Sequence, residues 1–132
     1  EHIEASVDYW VATVSPLGNP CVTPTWGVLL DEHIWFSCAP RSRKTRNIEH
    51  HPRVTITTDR PQEPVIVEGV AERVTERADI ERFAAATNGK YEYQSPLEFF
   101  LSNATFRVRP VVAFGMIEED FGGSPTRWTF DG

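Results

Sequence analysis

Ile34-Trp35-Phe36-Ser37-Cys38-Ala39-Pro40-Arg41-Ser42-Arg43-Lys44-Thr45-Arg46-Asn47-Ile48 is the stretch whose reading decides the fold. Its apolar opening extends a strand, His33 to Cys38, and Pro40 breaks it. Ser42 stands where an N-cap belongs, ahead of a short helix from about Arg43 to His51 that Pro52 stops. Four cations, Arg41, Arg43, Lys44 and Arg46, fall within six residues of a chain whose formal net charge is −6. Cations at a helix N-terminus sit at the wrong end of the macrodipole, at roughly 0.3–1 kcal/mol each, and a bound anion reverses that sign. Free N–H groups, the Ser42 and Thr45 hydroxyls and the Arg/Lys side chains together make a phosphate site. The plain alternative is a solvated basic helix face. The strand–turn–helix setting favours the anion site. At about 100° per residue, Arg43, Arg46 and Asn47 share one helix face. Lys44 and Ile48 share the adjacent one, with Ile48 anchoring the helix.

Working outward, residues 1–8 read as the end of a helix and Tyr9 to Ser15 as a strand. Pro16 to Pro20 is a turn. Cys21 to Leu30 is a second strand interrupted by Pro24, which donates no ladder bond. After the helix come strands Arg53 to Thr58 and Val65 to Val74, separated by a polar loop. Gly69 marks a bulge or a close backbone approach. Thr75 caps a helix of about thirteen residues that Asn88-Gly89 ends. A short helix follows Ser95-Pro96. Thr105 to Glu118 alternates, with Phe106, Val108, Val112, Phe114 and Met116 on one face. Gly122 to Pro125 turns into a last strand, Thr126 to Phe130. Six or seven strands joined by tight turns, with two or three short helices, predict an antiparallel barrel.

A chain of 132 residues fits one domain, 1–132, with a real core. Its acidic balance argues against nucleic-acid binding, and its apolar runs are too short to span a bilayer. Cys21 and Cys38 have no CxxC spacing and read as reduced thiols of a cytosolic protein. His33, His50 and His51 lack partners at metal-ligand spacing, so no metal site is expected. Nothing nominates a nucleophile or a general base, so no catalytic side chain is named. If the protein is an enzyme, a cofactor supplies the chemistry. Beside the basic helix, Pro24-Thr25-Trp26-Gly27 either shapes a slot for a flat ring or packs as ordinary core. Trp128 and Phe130 are either barrel plugs or lids on that slot.

These residues together resemble the pyridoxamine 5′-phosphate oxidase-like split β-barrels, in the flavin/deazaflavin oxidoreductase branch found in actinobacteria. The resemblance runs from Tyr9 to Phe130. It rests on Ile34 to Ser37 followed by Arg41 to Ile48, then His51-Pro52-Arg53-Val54 and Val67-Glu68-Gly69-Val70-Ala71. It implies a mainly β fold, a six-stranded antiparallel split barrel with short flanking helices that forms a homodimer with two cofactor sites at the interface. By resemblance, Ser42, Arg43 and Lys44 hold the cofactor phosphate, and Ser37 and Cys38 contact the cofactor at the strand end. Thr25, Trp26 and Gly27 line the isoalloxazine ring, and Arg46 and Asn47 match helix positions of the deazaflavin branch. Trp128 comes from the C-terminal segment, reaching toward the partner. The vitamin-B6 oxidases carry a basic C-terminal extension and a cofactor-binding Gln. Here only Arg127 lies near the end and Pro64 takes the Gln position, which argues against pyridoxamine phosphate oxidation. The implied cofactor is coenzyme F420, whose long polyanionic tail suits four cations, with FMN as the alternative. The implied activity is hydride transfer to or from a small organic substrate. A non-catalytic cofactor or haem binder, with one of the histidines as ligand, is the rival of another class.

Overall fold

The computed structural model describes residues 7–59, 62, 64–115 and 126–130. The expected N-terminal helix (its residues 1–6), the segment Met116 to Glu118 and the turn Gly122 to Pro125 lie outside the described residues. The strands are β1 (Tyr9–Val14), β2 (Pro20–Thr25), β3 (Val28–Leu30), β4 (His33–Cys38), β5 (Arg53–Thr58), β6 (Val65–Val74), β7 (Ala104–Gly115) and β8 (Thr126–Thr129). The helices are α1 (Arg43–His50), α2 (Arg77–Tyr91) and α3 (Leu97–Ser102).

All pairings are antiparallel, in the order β2-β1-β5-β6-β7-β4-β3, with β8 added on β7. Consecutive strands β2 and β3 therefore lie at opposite edges of the sheet. The Trp26-Gly27 kink joins them, so the first half pairs with β1 and the second with β4. Counted as one kinked strand, β2–β3 closes a barrel of six members and leaves β8 outside it. The expected break in this strand is real but falls after Thr25 instead of at Pro24, which stays in register opposite Trp10.

The core has two parts, and β4 separates them. Ile34 and Phe36 point into the barrel with Tyr9, Val11, Ile56 and Phe106. Trp35 points the other way, onto α2 and α3, where it packs with Ile80, Phe83 and Phe100. Side chains two apart on a strand share a face, so Ser37 follows Trp35 toward α2–α3. Cys38 follows Phe36 and packs against the barrel core.

Two expectations are corrected. The alternation of β7 changes phase in mid-strand. Gly69 opposes Pro110 while Glu68 opposes Val112, so Val111 is an extra residue. A bulge moves every later side chain to the other face. Ala113 and Gly115, not Val112 and Phe114, are consequently the buried ones. A Cβ on Gly69 would lie 2.5 Å from the Arg109 carbonyl oxygen, which accounts for glycine at this bulge. The second helix also departs from its expected ends. Glu76, not Thr75, is the N-cap, and the helix runs through Asn88-Gly89 to Tyr91 before Glu92 turns left-handed at φ 52°. Asn88 is used instead to clip the following loop. Its Nδ2 donates to the Ser95 carbonyl (3.1 Å) and its Oδ1 accepts the Ser95 N–H (3.2 Å). The two extra helical residues are Lys90 and Tyr91.

Candidate functional site

The basic stretch folds as a capped helix terminus. Ser42 Oγ accepts the Thr45 N–H at 3.2 Å, leaving the N–H groups of Arg43 and Lys44 without an intrahelical acceptor. Thr45 is fully buried. Its hydroxyl donates to the Ala39 carbonyl (2.7 Å) and contacts both Cys38 Sγ and Ser42 Oγ at 3.0 Å. It ties the end of β4 to the start of α1 and is not open to a ligand, contrary to the expectation for its hydroxyl. Ile48 is buried in the barrel core, as expected. The helix face expected to hold Arg43, Arg46 and Asn47 together is divided. Both arginines are exposed, while Asn47 is buried and its Nδ2 donates to Thr13 Oγ1 at 3.0 Å.

Electrostatics single out Lys44. It is half-buried, with its Nζ 5.8 Å from the centroid of the Phe36 ring. Burial holds its ammonium below the ordinary lysine range, an effect the neighbouring Cys38 opposes. Arg73, Arg77, Arg82 and Arg107 each pair with a carboxylate, whereas among the described residues none of Arg41, Arg43, Lys44 and Arg46 does. A partly desolvated cation lacking a counter-charge is the kind of group an anion would stabilise.

On the other face of β4 lies a pocket of about 380 Å³. Thr25, Trp26 and Ser37 form one side of it. The opposite side is Phe83, Thr87 and Asn88 of α2 with Tyr93, Ser95, Phe99 and Phe100 of the α2–α3 segment. The Trp26 indole stacks on Tyr91 and meets Tyr93 edge-on at 72°. Gly27 beneath is buried, and a Cβ there would lie 3.0 Å from the Tyr9 ring and 3.2 Å from the Trp35 carbonyl oxygen. Its N–H is accepted by the Tyr91 hydroxyl (3.0 Å), and its carbonyl accepts from Lys90 Nζ (2.8 Å). Gly27 is thus held by α2, and both of its backbone polar groups are engaged.

The sequence-derived residues therefore fall into two groups that meet at the end of β4, where Ser37 and Cys38 are adjacent. Thr25, Trp26 and Ser37 face the pocket, with Gly27 below. Cys38, Ser42, Arg43, Lys44 and Arg46 gather at the α1 terminus. Asn47 is turned inward, and Trp128 is elsewhere. Trp128 is paired with Ala113, nine residues along β7 from Ala104, the partner of Cys38. That is roughly 30 Å of strand. Within one chain Trp128 joins neither group, and it packs on Gly115. The α2–α3 wall of the pocket was not legible in the sequence beforehand. The aromatic density of Tyr91 to Asn103 was the available signal, but its partner on β2–β3 was not.

A comparison with curated proteins finds no match. Among solved structures, an F420 reductase is 25% identical with a TM-score of 0.69, covering 84% of this chain and 91% of that one. A conserved hypothetical protein of Mycobacterium tuberculosis is 22% identical at a TM-score of 0.79, covering 99% and 88%. A heme binding protein of Mycobacterium smegmatis is 20% identical at 0.73, covering 97% of this chain but 55% of its own. The family model for pyridoxamine 5′-phosphate oxidase matches residues 2–109, a span that takes in β1 to the middle of β7 and both residue groups at the end of β4. By that match and by its closed six-member barrel, the chain belongs to the pyridoxamine 5′-phosphate oxidase family.

Proposed function

We propose that this protein is a homodimeric oxidoreductase that binds a flavin-type cofactor, coenzyme F420 in preference to FMN. It would transfer a hydride between that cofactor and a small organic substrate. One observation carries the reading: an aromatic-walled pocket and an uncompensated cationic helix terminus adjoin at the end of one strand. The cofactor's anionic part would lie on the Arg43 and Lys44 N–H groups and side chains. Its ring would lie along Thr25, Trp26, Gly27 and Ser37. The cofactor supplies the hydride chemistry, and the chain binds it, orients it and excludes water. No side chain is assigned as acid or base.

Four cations exceed the needs of a single phosphate, which supports a cofactor with a polyanionic tail, and the likeness to an F420 reductase points the same way. A dimer is supported by the outer face of β1–β2, where Trp10, Val14 and Val22 are 46, 36 and 58% exposed. Trp128 would then act at the interface with the partner, while Asn47 holds α1 to β1 from within the chain. The free thiols of Cys21 and Cys38 are in keeping with a cytoplasmic setting. No helix among the described residues is long and apolar enough to cross a membrane. The haem-binding alternative has support from the M. smegmatis likeness, but His33, His50 and His51 are not among the residues around the pocket.

The test is to titrate coenzyme F420 and FMN into the wild type and an Arg43→Ala/Lys44→Ala variant. Charge-assisted bonds are worth roughly 1.5–3 kcal/mol each, so the double variant is expected to bind about a hundredfold more weakly or worse. Equal affinities would remove these residues from the site. Tighter binding of FMN than of F420 to the wild type would reverse the choice of cofactor.

A further inference from the structure

We infer that the α2–α3 side of the pocket receives a planar, uncharged ring compound bearing a hydrogen-bonding group, and that Thr87 reads that group. The inference deepens the oxidoreductase reading above, because it names the class of that enzyme's substrate.

The first support is an orphaned hydroxyl. Thr87 lines the pocket and is 7% exposed, yet its Oγ1 has no partner among the described residues. A helical threonine commonly returns its hydroxyl to the carbonyl one turn back, and this one does not. Its neighbour Asn88 is committed to the loop, with one bond to Ser95 at each end of its amide. Buried polar groups are normally satisfied, so an orphaned hydroxyl in a pocket wall indicates a missing hydrogen-bonding occupant.

The second support is the character of the walls. Trp26, Phe83, Tyr93, Phe99 and Phe100 are aromatic, and no Arg, Lys, His, Asp or Glu lines the pocket among the described residues. On the α2–α3 side Phe99 and Phe100 stand edge to face at 84°, so a flat ring there can stack on one aromatic and meet the edge of another. A charged ring would lose its hydration there without gaining a counter-charge. Lys44 lies over Phe36, on the opposite face of β4, and is not in the pocket lining. The volume of about 380 Å³ lies in the range of about 300–1,000 Å³ typical of small-molecule sites.

The test uses two probes of the same shape, 2-naphthamide and 2-naphthoate. Calorimetric titrations go into the wild type, Thr87→Val and Thr87→Ser, each with and without saturating cofactor. The neutral amide is expected to bind at least about tenfold more tightly than the carboxylate. Thr87→Val should weaken amide binding roughly fivefold, as for the loss of one neutral hydrogen bond, and Thr87→Ser should restore it. Amide binding should persist with cofactor bound. Equal binding of the two probes, no binding of either at millimolar concentration, indifference to Thr87→Val, or displacement of the amide by cofactor would each overturn the inference. Failure of both cofactors to bind would refute the oxidoreductase reading, while the amide–carboxylate comparison in cofactor-free protein would still decide the class of ligand.

Discussion

The Trp26 indole lies flat on the Tyr91 phenol, with centroids 4.2 Å apart and planes within 3° of parallel. The same phenol donates through its hydroxyl to the Val7 carbonyl at 2.5 Å and accepts the Gly27 N–H at 3.0 Å. One side chain at the end of α2 therefore sets both the kink that closes the barrel and the aromatic platform of the pocket.

Tyr91→Phe keeps the stack and removes the hydroxyl. It leaves the buried Gly27 N–H without its acceptor, so a loss of about 1–3 kcal/mol is expected in urea unfolding. Tyr91→Ala should cost more, since an aromatic pair adds about 0.5–1.5 kcal/mol beyond its buried area. Burial, before any other cause, pushes the Tyr91 phenol above its ordinary value. The phenol is protonated in both states below about pH 10. Above that the unfolded chain loses the proton first, so wild-type stability should fall as pH rises from about 10 to the folded value. That component should vanish in Tyr91→Phe, and an unchanged alkaline profile would contradict it.

Lys44 behaves in the opposite sense. Its folded value is lowered, so its burden on stability is fully present at neutral pH. The burden is relieved as pH rises through the folded value toward the ordinary one of about 10.4. Lys44→Met should therefore raise the melting temperature of the cofactor-free protein at pH 7 and remove the gain in stability on the alkaline side, below the ordinary lysine value of about 10.4. It should also weaken cofactor binding. A variant less stable at pH 7 would show that Lys44 has a structural partner.

Thr45 and Ser42 differ in what they hold. Ser42→Ala removes one cap and should cost about 1 kcal/mol. Thr45→Val keeps the shape but removes the buried hydroxyl that donates to the Ala39 carbonyl, which then keeps only the Ser42 N–H. About 0.5–1.5 kcal/mol is expected from that loss. Chemical unfolding of both variants ranks them, and a Thr45→Val variant as stable as the wild type would deny Thr45 its tying role.

Gly69 and Gly89 make a matched pair. A Cβ at Gly69 would lie 2.5 Å from the Arg109 carbonyl oxygen and 2.7 Å from Val108 Cγ1, while at Gly89 nothing lies within 4 Å. Gly69→Ala should cost roughly 1–3 kcal/mol through overpacking. Gly89→Ala, inside α2, should stabilise by about 0.5–1 kcal/mol. If Gly89 terminated the helix in a left-handed conformation, its substitution would destabilise instead, so thermal melts of the two variants also test where α2 ends.

Much of the fold was legible because its signals are local. Alternation and proline placement located β4, β5 and β6 at their observed limits, and Ser42 declared the cap of α1 four residues after β4. The basic cluster was legible for the same reason, since charge density and a capped helix start need no distant partner. The phase change in β7 was hidden, because a bulge is a relation between two strands and Val111 looks ordinary in its own. The true end of α2 was hidden for a like reason: Asn88-Gly89 is a common stop signal, but the hydrogen bonds that Gly27 accepts from Lys90 and donates to Tyr91 reward two more helical residues.

By itself the sequence determined the barrel class, the position of α1 and the sign of the charge gathered there, all consequences of backbone preference and composition within short windows. Only the tertiary structure decided that Asn47 turns inward onto Thr13 and that Ser37 and Cys38 serve opposite faces of β4. It alone set Thr87 with its unpartnered hydroxyl against an aromatic wall. Those outcomes depend on which side of a strand another element covers, and that is settled by packing between segments far apart in the chain.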